Sequence, residues 1–255
     1  MMLYAPLVTS LAAYRVAPPI SALLILVVTS VFFAQNALGL HLRGRGGPAN
    51  TRWLTAFTLA GAAAGTGLLV GYEHWRLLPL GVPAVLLFAW QAWQRRQTRR
   101  QIDHSTVNEA ATAAVMALGA TAAFLAAGRD WGPAAALSWA AFTLYFSGSV
   151  LYVKMRVHDA RSADDRHRWR HGAVCGLFHL GLGVLALGLA TGAGPGLHFA
   201  VLGGVAAAPA IIRACLAWYQ LDGSLPSLRR IGFMEVAFST WFSVWIGVAL
   251  ADHSM

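Results

Sequence analysis

The stretch PISALLILVVTSVFFAQNALGLH, residues 19 to 41, decides the fold class, because its 23 residues include no Asp, Glu, Lys or Arg. As a helix rising about 1.5 Å per residue it reaches ~35 Å, enough to cross a hydrocarbon core of about 30 Å. It is apolar all round rather than along one stripe, so it needs lipid or a protein interior on every side. Working outward, apolar segments fall at residues 3 to 14, 52 to 71, 77 to 93, 106 to 127, 132 to 153, 172 to 191, 196 to 219 and 230 to 250. Turn chemistry separates them: Pro18 and Pro19, Gly44 to Pro48, Gly132 and Pro133, Gly194 to Gly196, and Pro226.

The composition agrees. Of 255 residues, 57% are hydrophobic and 11% charged, where a soluble domain carries about 25% charge. Collagenous, disordered, disulfide-scaffold and nucleic-acid-binding classes are excluded. The expected fold is an all-α, polytopic transmembrane bundle of eight to nine helices, forming a single domain over residues 1 to 255. The first segment, within residues 1 to 14, is too short to cross and reads as an incomplete helix. It also lacks the basic start of a cleaved signal peptide. Cys175 and Cys215 lie in apolar runs without metal-ligand spacing and read as small core residues.

Lys and Arg counted between segments alternate in number, with fifteen on one side and three on the other. The basic side carries Arg43, Arg45 and Arg52, then Arg95 to Arg100, Lys154 to Arg170, and Arg229 with Arg230. The positive-inside rule makes that side cytoplasmic, with the N-terminus inside and Met255 outside, as expected for an inner (plasma) membrane protein. The net charge of +9 then reflects topology and contact with anionic phospholipids rather than a polyanionic partner. Gly61/Gly65, Gly67/Gly71, Gly172/Gly176 and Gly188/Gly192 are spaced for close helix packing.

Ionisable groups within spans are costly unless they face a partner or a cavity, so they mark candidate sites. Here they are Glu109, His179, Arg213 and Glu235, with Asn36 as a neutral companion. Arg213 falls about 10 Å and Glu235 about 8 Å inside the basic end of their spans. Lys154 and Arg156 lie at that depth or shallower, so Asn36, Glu109, Tyr152, Lys154, Arg156, Arg213 and Glu235 are expected to line a cytoplasm-facing polar cavity. Structural readings compete with this. Thr106-Val-Asn-Glu109 fits a capping box, Arg213 and Glu235 suit a structural ion pair, and His179 suits a core histidine. Arg213 follows Pro209 by four residues, on a face where carbonyls are loosened. The segment from Tyr152 to His171 reads as a polar loop, either lying on headgroups or holding an anion with Lys154 and Arg156 while Asp159, Asp164 and Asp165 hold a divalent ion.

Tyr152-Val-Lys154 with Arg156, and Ile231-Gly232-Phe233-Met234-Glu235, resemble the YwiC-like family of bacterial integral membrane proteins, and the run Arg100 to Glu109 is similar in style. The usual His-Gly-Ala-Trp opening of that family is not found here. The layout also looks like the UbiA superfamily of intramembrane prenyltransferases. That resemblance implies an isoprenoid or other lipid-like ligand, magnesium, and prenyl-group transfer if the protein is an enzyme. Its motifs are degenerate: Asn36 is followed by Ala37, Leu40 and Gly44, so one loop has no carboxylate, while Tyr152 and Arg156 match Tyr-x-x-x-Lys only in type. No catalytic or metal-ligating residue is assigned. Two other readings are a permease-like carrier using Arg213 and Glu235 as a relay, and a respiratory or haem-related accessory protein suggested by nine histidines.

Overall fold

A computed structural model describes residues 3–97, 106–161, 165–191, 196–219 and 227–252. Among these residues there are nine α-helices and no strand: α1 (Tyr4–Ala13), α2 (Pro18–Leu42), α3 (Pro48–Thr66), α4 (Leu78–Gln97), α5 (Thr106–Ala126), α6 (Pro133–Arg161), α7 (Asp165–Thr191), α8 (Gly196–Tyr219) and α9 (Leu228–Asp252). Among the described residues, seven spans are long and apolar enough to cross a membrane, and Tyr4–Ala13 and Gly172–Val184 are shorter apolar helices. The protein is thus a polytopic helical membrane protein. Many large apolar side chains face outward, as with Leu59, Val85 and Leu86 at 64 to 65% exposure, which suits lipid as the solvent.

Proline at the first turn starts α2, α3 and α6, where its missing N–H costs no helical bond. A π turn, Gly67–Gly71, follows α3. One expectation is corrected: the polar loop from Tyr152 to His171 is largely helical, because α6 runs on to Arg161 and α7 begins at Asp165. Helical hydrogen bonding continues beyond the apolar stretch, since it needs only backbone groups, which charge on the side chains does not interrupt.

Contacts divide the chain into two compact units, Pro6–Trp139 and Met1–Ala5 with Ala140–Met255. Within the first, Gly119 of α5 seats Leu7 of α1, where an added Cβ would come within 3.2 Å of the leucine. Tyr14 then meets Phe124 edge-on at 5.2 Å. Gly61 of α3 likewise seats Ser30 of α2. Within the second unit, α7 and α8 meet where Gly176 lies against the indole of Trp218. Gly61 and Gly176 therefore act in packing within a unit. Gly192 lies outside the described residues, as does the packing around Gly188.

Candidate functional site

Three helices of the second unit build an ionic centre. On α6, Tyr145, Ser149, Tyr152 and Arg156 recur at helical spacing and form one stripe. On α9, Glu235, Phe238 and Phe242 do the same, and Tyr145 stacks on Phe242 with centroids 3.9 Å apart. On α8, Ala206, Ala210 and Ala214 are buried small residues that leave room for aromatic neighbours. Tyr152, Met155, Cys175 and Ala214 close into a buried cluster.

Arg213 projects from α8 into this setting. Its guanidinium lies 3.8 Å from the ring centroid of Tyr152 and 4.5 Å from that of Phe238. Both distances are well inside the range of cation–π attraction. Its Nη1 lies 2.6 Å from Glu235 Oε1, with side-chain exposures of 9% and 17%. The two atoms meet as charges without hydrogen-bond alignment, and Arg213 Nε has no hydrogen-bond partner among the described residues. Ser149 donates its hydroxyl to Glu235 Oε2. The same unit meets the defect introduced by Pro209. A residue there would ordinarily donate its N–H to the carbonyl of Val205; proline has none, and the indole Nε1 of Trp241 donates to that carbonyl at 3.1 Å.

His179 is a satisfied core side chain. Its Nδ1 lies 2.8 Å from the carbonyl oxygen of Cys175, which can only accept, so Nδ1 donates. Gly148 makes room for the ring, since a Cβ there would lie 2.9 Å from Nε2.

Of the seven residues singled out from the sequence, Tyr152, Arg213 and Glu235 come together. Arg156 is buried and Lys154 half-buried on the same helix. Asn36 and Glu109 belong to the other unit. The Asn36 amide is exposed and donates to its own helix at Phe32 O, 2.9 Å away, while Glu109 lies in the first turn of α5. Asp164 lies outside the described residues, as do the side chains of Asp159 and Asp165. Among the described residues no three His, Cys, Asp or Glu side chains gather as a metal site.

Sequence reasoning missed a neutral site in the first unit. Gln35 on α2 donates to Gln91 on α4 at 2.9 Å. Gln91 Nε2 in turn donates to Asn108 Oδ1 at 2.9 Å and to Thr112 Oγ1 at 3.2 Å, both on α5. A search restricted to ionisable groups passes over these residues; the usable signal is two glutamines inside apolar spans. A cavity of about 290 Å³ adjoins this relay and is lined by residues of α2, α3 and α4, with none of the seven among them.

No curated protein and no solved structure matches the chain. The family model described as YwiC-like protein matches residues 1–124. Of the motifs that carry the resemblance, the run ending at Glu109 falls inside that stretch, and those at Tyr152 and Ile231 fall beyond it. Residues 1–124, which hold the whole amide relay, are thus similar to the YwiC-like family.

Proposed function

We propose that this YwiC-like membrane protein binds the anionic head of a lipid-tailed ligand at Arg213, on the cytoplasmic side. The observation that carries the reading is a buried guanidinium clamped between two aromatic rings with Nε left without an acceptor. Ring faces offset the positive charge but take none of its N–H groups. A phosphate or carboxylate can therefore claim those donors without moving the side chain. Glu235 holds the site in its empty state, with Ser149 as the group that retains the carboxylate when an anion takes its place. Lys154 and Arg156, on the neighbouring turns of α6, add positive charge for a diphosphate. Transfer of a prenyl group from such a ligand rests on architectural analogy alone.

The test is the thermal shift of purified protein with farnesyl diphosphate, with and without magnesium. Stabilisation that is lost in Arg213→Gln is the expected result; no shift under either condition overturns the reading. Reporter fusions at each terminus test the proposed orientation, N-terminus inside. A second reading, a carrier in which Glu235 relays a proton, is favoured by the partial exposure of that carboxylate beside its cation. It requires Glu235→Gln to abolish solute or proton flux in vesicles while the fold is kept.

A further inference from the structure

The relay Gln35–Gln91–Thr112 has a direction, and the direction specifies a ligand. Thr112 has one hydroxyl hydrogen, given to the carbonyl of Asn108 at 2.7 Å. Toward Gln91 the hydroxyl can then only accept, so Gln91 must present its NH₂ to α5. That orientation turns Gln91 Oε1 toward α2, where Gln35 must donate. Gln35 Oε1 and its second N–H are left without a protein partner among the described residues. The side chain of Gln35 lines the cavity among α2, α3 and α4.

A second observation points to the same space. Ser30 lines this cavity, is fully buried, and its Oγ has no hydrogen-bond partner among the described residues. The other polar lining groups are Thr58 and Gln91; the rest of the wall is aliphatic, phenyl or glycine, with no charged side chain. A charged group entering here would lose its hydration with no counter-charge to meet it. A neutral group with both a donor and an acceptor matches the two free functions of Gln35. The volume, about 290 Å³, sits at the small end of ligand sites, which run from about 300 to 1,000 Å³.

We infer that this cavity binds the head of a neutral, hydroxyl-bearing lipid, such as a long-chain or isoprenoid alcohol. Its O–H is donated to Gln35 Oε1, and its oxygen accepts from Gln35 N–H or Ser30 Oγ. The site is separate from the anionic one proposed at Arg213 and stands or falls independently of it.

The experiment uses 1-decanol carrying a mid-chain diazirine, its methyl ether and the corresponding decyl phosphate, at equal mole fraction in micelles of the full protein. After photolysis, labelled peptides are mapped by mass spectrometry. The alcohol is expected to label α2, α3 and α4 about ten-fold more than the ether, which has lost the donor. The phosphate is expected to label these helices least. Gln35→Met should bring alcohol and ether level, and Ala34→Phe, which fills the cavity, should abolish labelling by both. Equal labelling of alcohol and ether in the unaltered protein overturns the inference, as does a preference for the phosphate or labelling that survives Ala34→Phe. Should Gln35→Met fail to fold, the comparison of the three probes on the unaltered protein still decides.

Discussion

The unit from Pro6 to Trp139 and the one built mainly from Ala140 to Met255 bury polar groups by opposite means. In the first, uncharged amides pass hydrogen bonds from α2 through α4 to α5. In the second, an arginine is opposed by one carboxylate and two aromatic faces. An amide that loses its neighbour strands one donor or acceptor. An ion that loses its counter-ion strands a whole charge, at several times the cost. The first arrangement can therefore leave a glutamine edge free for a ligand at little cost, while the second leaves a donor free only because the rings hold the charge.

The largest expected effect breaks the ionic side. Glu235→Leu should destabilise by about 3–5 kcal/mol, since it leaves a buried guanidinium unpaired. Adding Arg213→Met should recover most of that loss, as unfolding in mixed micelles titrated with SDS would measure. A double variant no more stable than the single one would remove the pair from the account of stability. Next comes packing: Gly176→Ala drives a methyl into the indole of Trp218, which is itself packed edge-on against Trp169. A loss of about 1–3 kcal/mol is expected in the same assay.

On the neutral side, Gln91→Leu should cost about 1 kcal/mol, well below the ionic variant, because interhelical hydrogen bonds in membranes have modest net value. A loss equal to that of Glu235→Leu would erase the contrast between the two units. The smallest effect concerns Trp241. Its replacement by Phe should cost about 0.6 kcal/mol, and still less when Pro209→Ala has restored the helix's own donor to the Val205 carbonyl. A double-mutant cycle over these two positions reads the difference.

Segment boundaries were legible to within a few residues for most helices, because apolar runs bounded by Pro, Gly and Arg follow from solvent alone. The polar stretch after Tyr152 was misread as a loop because charge marks where lipid ends, and a helix can continue past that point. Arg213 and Glu235 were legible as a pair, being ionic groups at similar depth in consecutive spans. Gln35, one residue before Asn36, was not legible as the partner of Gln91. One residue is a rotation of about 100° around a helix, and hydropathy does not say which side of an apolar rod faces another helix.

The amino-acid sequence by itself determined that this chain is a polytopic helical membrane protein and roughly where its helices lie, because a low-dielectric solvent requires backbone groups to be satisfied within each segment. Only the tertiary structure decided which polar side chains meet: the rings beside Arg213, the serine on Glu235, the indole at the proline defect, and the direction of the amide relay. Such meetings depend on the rotation and packing of separate helices, and those are set by small residues such as Gly61, Gly119 and Gly148 through contacts far apart in the chain.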